Sequence, residues 1–167
     1  TGPVVVDANT VATVQTPTLQ PEQLIYTAPE PMGFHGNAGV RTIIGNTIRA
    51  IDLNGDNHLR LRQLRGHLWS SQISPDGRYI VFVHDARSRG QIHVMNTNGS
   101  SVTNISNNAF CARSPVWSPN GGKIAFMSER NGDWDIYIMN PDGTDQRPLA
   151  GNPGMDRAPA WSPNGSR

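Results

Sequence analysis

Short runs in which apolar and polar residues alternate recur along the chain, separated by segments rich in glycine, proline, asparagine and aspartate. Alternation with a period of two places one set of side chains on one face of a β-strand. The pattern predicts strands over Tyr79–Val83 and Lys123–Met127, each followed by another over Gln91–Met95 and Asp135–Met139. Each pair of strands therefore belongs to a small sheet with an apolar face to bury.

Two turn motifs repeat with one period. The sequence Ser-Pro-Asp/Asn-Gly occurs at Ser74–Gly77, Ser118–Gly121 and Ser162–Gly165, 44 residues apart each time. A second turn, Asn/Asp-Gly, has its glycine at positions 55, 99 and 143, again 44 apart. Two independent markers in one register identify an internal repeat.

Each repeat unit resolves into four short strands. The first precedes the Ser-Pro turn, at Ser114–Trp117, at Ala158–Trp161 and, more loosely, at Ser70–Ile73. The fourth is marked by Leu61, Ile105 and Leu149, one period apart. Four-stranded sheets that repeat every ~40–50 residues are typical of β-propeller blades. The sequence therefore predicts an all-β fold, a β-propeller of four-stranded blades; a β-solenoid, whose repeats are usually shorter, is the alternative.

The register divides the chain into an N-terminal arm over 1–24 and blades over 25–68, 69–112 and 113–156, with another blade beginning at 157. The β-branched runs of the arm favour edge strands over a flexible extension. About three blades and one strand fall short of the ~4–8 blades of closed propellers. Three explanations are open: a fragment of a longer propeller, a small ring that the arm completes, or completion by a second copy or a partner chain. The first and the last are favoured.

The first unit departs from the pattern. Its second strand is expected at Arg41–Ile44, joined to a strand over Asn46–Ile51 by a tight Gly45-Asn46 turn. The later units have longer loops at this place, over 85–90 and 128–134. Loops of variable length on a regular scaffold often carry specificity, so these two loops are expected to make contacts.

Composition narrows the function classes. The 167 residues carry a net charge of +1, which gives no indication of nucleic-acid binding. No apolar run reaches the ~20 residues of a membrane helix. Cys111 is the single cysteine, so an internal disulfide and a cysteine-based zinc site are excluded, and a small buried apolar role is expected for it.

With these motifs in view, the chain resembles the TolB-type propeller repeat. The family's Trp-Ser-Pro-Asp-Gly turn, Ile-Ala-Phe strand, Ile-Tyr strand and Asn-x-Asp-Gly turn match Trp117–Gly121, Ile124–Phe126, Ile136–Tyr137 and Asn140–Gly143. The resemblance is strong over 69–167, with Ile73 in place of the first tryptophan in the second unit, and holds by register alone over 25–68. It implies a propeller scaffold; similar repeats form part of TolB, of prolyl-oligopeptidase-like enzymes and of many extracellular proteins.

Few residues suggest chemistry. Asp52–Asp56 has oxygen ligands at calcium-loop spacing but lacks the glycine and the final acid of that loop, and Asn131, Asp133 and Asp135 share the spacing next to a predicted strand. The five histidines show no metal-ligand spacing, and no nucleophile elbow or phosphate-binding loop is present. We expect no catalytic residue, no cofactor and no metal site in this chain.

Two features suggest contact with a partner instead. The run from His58 to His67 alternates leucine with Arg60 and Arg62 and adds Arg65, which indicates either a charged edge strand or a basic patch for an acidic partner or an anionic surface. Trp134 has no aromatic counterpart in the other units, so it indicates either an interface anchor or packing between blades. The predicted contact residues are Trp134, Arg130, Arg87, Arg89, Arg60, Arg62 and Arg65.

The expected function is a non-enzymatic scaffold, periplasmic or extracellular, that binds protein partners or associates with itself to complete the propeller. Contact with a membrane complex or an anionic surface is an extension of that expectation, and nucleic acid is not an expected partner. The alternatives are the propeller part of a larger hydrolase, of the prolyl-oligopeptidase-like or polysaccharide-active kind, and a glycan-binding module. The repeat does not choose between them, because a fold does not specify a function.

Overall fold

The structure is a computed structural model that describes residues 23–28, 46–52, 59–86, 89–107, 109–149 and 154–165. The described segments form antiparallel strands and turns, and none of them is a helix that could span a bilayer. In chain order the strands are β1 Gln23–Ala28, β2 Thr47–Asp52, β3 Leu59–Gln63, β4 His67–Ile73, β5 Tyr79–Asp85, β6 Gln91–Asn96, β7 Thr103–Asn104, β8 Ala112–Trp117, β9 Ile124–Ser128, β10 Asp135–Met139 and β11 Arg147–Pro148.

The strands form three sheets, which we call blades 1 to 3. Blade 1 has the order β1-β2-β3, blade 2 the order β4-β5-β6-β7, and blade 3 the order β8-β9-β10-β11. Every pairing is antiparallel between neighbours in sequence. The predicted all-β fold with an incomplete ring of propeller blades is confirmed.

Blades 2 and 3 repeat each other residue by residue. Phe82 pairs with His93 in blade 2, and Phe126 pairs with Tyr137 in blade 3, each 44 residues later. The fourth strands are only two residues long, but the predicted markers hold the same bonds: the Ile105 N–H donates to the Ile92 carbonyl at 2.9 Å, and its counterpart Leu149 does so to Ile136 at 2.8 Å.

The Ser-Pro turn is held by its serine side chain, which bonds the aspartate or asparagine two residues later. The Ser74 hydroxyl donates to the Asp76 carboxylate at 2.6 Å and accepts the Tyr79 N–H at 2.9 Å. Ser118 makes the same two bonds, to Asn120 at 2.8 Å and from Lys123 at 2.9 Å. The serine therefore links the end of each first strand to the start of the second, which explains why it recurs with the repeat.

The first strand of a blade carries a feature that the alternation pattern does not contain. The pairing register shifts between Trp69 and Gln72 in β4, and between Arg113 and Val116 in β8. Within these two bulges Ser70 and Ser114 have positive φ values of 52° and 51°. Ala158, one period further on, has φ 51°. The bulge is therefore part of the repeat.

The core lies between the blades. Ile80 and Phe82 of β5 pack towards blade 1, in a cluster with Ile48, Ala50 and Leu61. The alternate residue Val81 packs towards blade 3, in a cluster with Ile92, Ile105, Trp117, Phe126 and Tyr137. Because β5 buries both faces, its burial is continuous from Ile80 to Val83. This is the stacking of blades that the propeller prediction requires.

Two predicted strands are not among the described strands of the three sheets. The strand expected at Arg41–Ile44 lies outside the described residues, and β1 is the strand paired with β2 in blade 1. The prediction of a strand at Ala158–Trp161 is wrong, because these residues belong to none of the described sheets. A strand needs a hydrogen-bonded neighbour, and no described segment pairs with this one. Its Trp161 indole instead donates to the Val116 carbonyl of blade 3 at 3.2 Å.

Candidate functional site

The junction between blades 1 and 2 carries the largest set of predicted contact residues. Arg60 and Arg62 are exposed on β3, the edge strand of blade 1, while Leu61 between them is buried. Their side chains border an open groove of about 480 Å³. We call it the arginine groove; its lining is Arg60, Leu61, Arg62, Gln63, Asn98, Gly99 and Ser100.

The floor of the arginine groove is a close contact between the blades. Gly99 has φ +81°, and a Cβ atom there would collide with the Leu61 carbonyl oxygen. The neighbouring Asn98 side chain accepts the Ser100 N–H at 3.0 Å and the Ser100 hydroxyl at 2.6 Å. The groove is therefore rigid at its base and positively charged at its side, which suits an acidic partner surface.

A second cavity, of about 390 Å³, lies on blade 2 beside the loop that follows β5. We call it the rim slot; the described residues that line it are His84, Ala86, Arg89, Gln91, His93, Asn104 and Ala109. His84 lies 2.7 Å through Nε2 from the Arg65 carbonyl oxygen on the loop after β3, so the slot adjoins blade 1. Arg89 donates through Nη1 to the Ala109 carbonyl.

The two histidines of the rim slot are in contact. Their rings meet edge to face with centroids 5.1 Å apart, and His93 also stacks on Phe82 at 5.7 Å. Burial is the main factor that lowers the pKa of His93, a hydrogen bond to the Gln91 carbonyl opposes it, and the neighbouring His84 lowers the pKa further. The described residues do not bring three or more histidine, cysteine or carboxylate side chains together as metal ligands.

A third cavity, of about 280 Å³, separates the Ser-Pro turns of blades 2 and 3. It is lined by Ser74, Asp76, Arg78, Tyr79, Trp117, Asn120, Gly121, Gly122 and Pro141. The Ser74 hydroxyl and then the Arg78 side chain lower the pKa of Asp76 to about 2. These groups satisfy one another within the turn, since Arg78 Nε bonds Asp76 at 2.7 Å, and the arrangement serves the turn itself.

The remaining predicted contact residues lie elsewhere. Arg130 is half-buried on blade 3, with its guanidinium 4.3 Å from the centroid of the Tyr137 ring. Trp134 is half-buried beneath the Arg113 guanidinium at 5.0 Å, and its carbonyl accepts the Asp156 N–H at 2.7 Å. Arg87 lies outside the described residues. The structure thus places Arg60 and Arg62 at the arginine groove, Arg65 and Arg89 beside the rim slot, and Arg130 and Trp134 on blade 3.

The residues considered as metal ligands and as a buried thiol are placed as follows. Asp135 is buried at the start of β10 and accepts a hydrogen bond from Asn131 at 3.4 Å. Most of the loop at Asp52–Asp56 lies outside the described residues. Cys111 is half-buried rather than fully buried, and burial together with Glu129 raises the pKa of its thiol.

The loop over 85–90 is an expected contact segment, but no local motif indicates the cavity that Ala86 and Arg89 of this loop border. His84 and His93 are nine residues apart, which is no ligand spacing, and their proximity depends on the pairing of β5 with β6. The usable signal is the repeat register: Ala86 occupies the position that Arg130 holds one unit later. A small residue in one blade, at a position where the next blade has a large side chain, indicates an open space in the first blade.

Comparison with known proteins agrees with this fold. Among solved structures, a putative TolB from Agrobacterium tumefaciens has a TM-score of 0.63 and 26% identity over 77% of this chain. TolB from Acinetobacter baumannii has a TM-score of 0.57 and 20% identity over 81% of it. A puromycin-hydrolysing peptidase from Mycobacterium tuberculosis has 0.56 and 19% over 78%. The last two likenesses, at such low identity, show the fold alone.

The chain spans 45% of the Agrobacterium protein, 32% of the Acinetobacter protein and 21% of the peptidase. The comparison with curated proteins returned no match. The family model of the TolB beta-propeller domain matches residues 38–167, which is most of the chain and includes blades 2 and 3 entirely. The chain belongs to the TolB beta-propeller domain family.

Proposed function

We propose that this chain is a non-enzymatic, extracytoplasmic module that binds a protein partner at the junction of blades 1 and 2. One observation carries the proposal: the arginine groove presents two exposed guanidinium groups, those of Arg60 and Arg62, across a rigid contact between blades. The rim slot, at the opposite end of β6 on the same blade, supplies further donor groups, including Arg89. Electrostatic complementarity of this kind favours association with an acidic surface.

The likenesses to the putative TolB of Agrobacterium tumefaciens and to the peptidase support the shared scaffold. A guard role for the arginines competes with the proposal, because charged side chains on an edge strand also prevent sheet-to-sheet pairing. The two roles differ in what charge reversal does: a guard residue can be replaced by glutamate, whereas a binding residue cannot.

The test is quantitative capture of partners by the tagged chain from the extracytoplasmic fraction of its source organism. The double variant Arg60→Glu/Arg62→Glu should lose at least tenfold of the captured partner, since a reversed charge at the site repels an acidic surface. The matched control is Arg147→Glu, an exposed arginine on β11, the equivalent edge strand of blade 3.

Capture that falls equally in both variants, or in neither, would contradict binding at this junction. A chain found in the cytoplasmic fraction when it is expressed from its natural gene would contradict the proposed location. The folded state of each variant is checked by circular dichroism before its capture is compared.

A further inference from the structure

The aromatic pair at the rim slot of blade 2 has a counterpart at the same repeat position in blade 3. Phe82 and His93 lie 44 residues before Phe126 and Tyr137, and both pairs are cross-strand neighbours. The ring centroids are 5.7 Å apart in blade 2 and 5.8 Å apart in blade 3. The two blades therefore offer the same aromatic floor at the same place, each on the face turned towards the preceding blade.

In blade 3 the chain fills this place with its own arginine. The Arg130 guanidinium lies over Tyr137, donates through Nε to the Ser128 hydroxyl at 3.1 Å, and donates through Nη2 to Gln146 at 2.9 Å. Gln146 in turn donates to the Ile105 and Ser106 carbonyls of blade 2, both at 3.1 Å. Arg130 thus links blade 3 to blade 2 through Gln146.

In blade 2 the corresponding residue is Ala86, and the space remains open as the rim slot of about 390 Å³. The truncation removes a guanidinium and two methylene groups. A cavity of this volume accommodates the head of a long side chain from another molecule.

The residues around the slot in blade 2 differ in chemistry from those around Arg130 in blade 3. The acceptors that serve Arg130 in blade 3 are replaced in blade 2: Ser128 corresponds to His84, and Gln146 corresponds to Val102. The acid at the start of β10, Asp135, corresponds to Gln91. None of the described residues that line the slot is acidic. The slot has therefore lost the groups that would receive a cation.

The slot has gained groups that receive an anion. Arg89 supplies a permanent positive charge at its mouth, and the amide of Asn104 adds hydrogen-bond donors. Each imidazole engages one nitrogen with a main-chain carbonyl, His84 with Arg65 at 2.7 Å and His93 with Gln91 at 3.2 Å. The second nitrogen of each ring accepts in the neutral form and donates to a carboxylate only when the ring is protonated. An adjacent anion favours that form and thus opposes the burial that lowers the pKa of His93.

We propose that the rim slot binds the side-chain carboxylate of a glutamate or aspartate residue on a protein partner. The identity of the ligand as a protein group rests on the proposed function; the preference for a carboxylate rests on the slot alone. A glutamate side chain enters the space in blade 2 that corresponds to the space filled by Arg130 in blade 3. Its charge is opposite to that of Arg130, and it suits a lining whose described residues include Arg89 and no acidic residue.

The test is a titration of the full chain with isotope-labelled histidines. The chemical shifts of the imidazole signals are measured by NMR at each peptide concentration. The probes are acetyl-Gly-Glu-Gly-amide and its isosteric control acetyl-Gly-Gln-Gly-amide. The glutamate peptide should shift the His84 and His93 signals saturably, with a dissociation constant in the millimolar range, and the glutamine peptide should bind at least tenfold more weakly.

Two matched variants separate shape from charge. Ala86→Arg fills the slot as blade 3 does and should abolish the shifts, even though it adds a positive charge. Thr103→Arg adds the same charge outside the slot, at a position where the repeat has Arg147 in blade 3, and should leave binding unchanged. If Ala86→Arg fails to fold, Arg89→Gln takes its place, and a loss of at least tenfold is expected.

Several results would overturn the proposal: no saturable shift with the glutamate peptide, equal binding of the two peptides, or undiminished binding by Ala86→Arg. Saturation by galacturonate without binding of the glutamate peptide would assign the slot to a sugar acid and also overturn it. The titration needs no captured partner. Peptide binding without partner capture would therefore refute the proposed function alone, and capture without peptide binding would refute the slot alone.

Discussion

Gly143 joins blade 3 to blade 2, and its replacement by alanine tests how the blades stack. Its φ is +86°, and an added Cβ atom would collide with the Ile105 carbonyl oxygen and lie 3.1 Å from the Ile105 Cα. Gly132, on the loop between β9 and β10, has φ +101°, but nothing lies within 4 Å of a Cβ built there. The two glycines share the backbone requirement and differ in the contact between blades.

The difference between the two variants can be estimated. A positive φ costs an alanine about 1–2 kcal/mol, and both variants lose this amount. Gly143→Ala must in addition move two blades apart by about 1 Å to restore van der Waals distances. Overpacking of this kind costs about 1–3 kcal/mol. The free energy of unfolding should therefore fall by about 2–5 kcal/mol in Gly143→Ala, and by about 1–2 kcal/mol in Gly132→Ala.

The assay is equilibrium unfolding in urea, followed by tryptophan fluorescence, with the two variants and the unmodified chain measured side by side. With a slope of about 1–3 kcal/mol per molar urea, the midpoint of Gly143→Ala should lie about 1 M below that of Gly132→Ala. Equal midpoints would show that the turn does not bear on the neighbouring blade and would refute the stacking described above. Gly99→Ala, which collides with the Leu61 carbonyl in the same way, repeats the test at the other junction.

Three further predictions concern single side chains. Arg130→Ala removes the stacking on an aromatic ring and two hydrogen bonds, so its free energy of unfolding in urea should fall by about 1–3 kcal/mol, and Arg130→Lys should recover only part of this. The pKa of Asp76, about 2 in the fold, lies below its ordinary value, so the stability it contributes is present above about pH 4 and is lost as pH falls towards 2; Asp76→Asn should lose less stability over that window. Phe126→Ala should cost about 3–5 kcal/mol, because Phe126 is fully buried, whereas Phe110→Ala, at an exposed position, should cost less than about 0.5 kcal/mol in the same urea series.

Each of these has a contrary outcome. A free energy of unfolding fully restored by Arg130→Lys would mean that the planar shape of the guanidinium does not contribute to the stability of blade 3. Parallel pH profiles for Asp76→Asn and the unmodified chain would mean that the Ser74 and Arg78 contacts do not favour the ionised carboxylate. A similar loss in the two phenylalanine variants would place the core somewhere other than between the blades.

The repeat register made most of blades 2 and 3 predictable. Strand β10 begins and ends where the alternation places it, at Asp135 and Met139, because it pairs along its length with the buried strand β9 and has a turn at each end. The markers Ile105 and Leu149 hold equivalent bonds in the two blades. Spacing predicts such features because each depends on contacts that are local or that recur with the period.

The bulges and the pairings of blade 1 were not predictable in this way. Ser70, Ser114 and Ala158 all take a positive φ, but serine and alanine give no composition signal for that conformation. The choice of β1 as the neighbour of β2 is made by long-range pairing, which no local pattern contains. These features follow from the packing of whole blades rather than from the residues that show them.

The candidate site was predictable only in part. Arg60 and Arg62 are exposed as the alternation of their strand requires, with Leu61 turned inward. The role of Arg130 as an internal bridge depends on Ser128 and Gln146, which lie on opposite sides of β10 in sequence and meet only in the folded blade. The contrast between Arg130 and Ala86 becomes informative once the two blades are superposed by their register.

Site-specific photocrosslinking tests binding at the junction of blades 1 and 2 most directly. A photoreactive amino acid replaces Gln63, which is exposed in the arginine groove, in one version of the chain and Arg147 in another. Each version is produced in the source organism, and the crosslinked products are identified by mass spectrometry. We predict that position 63 gives one discrete product with an acidic surface of another protein and that position 147 does not. The same products at both positions, or none at position 63, would contradict the account.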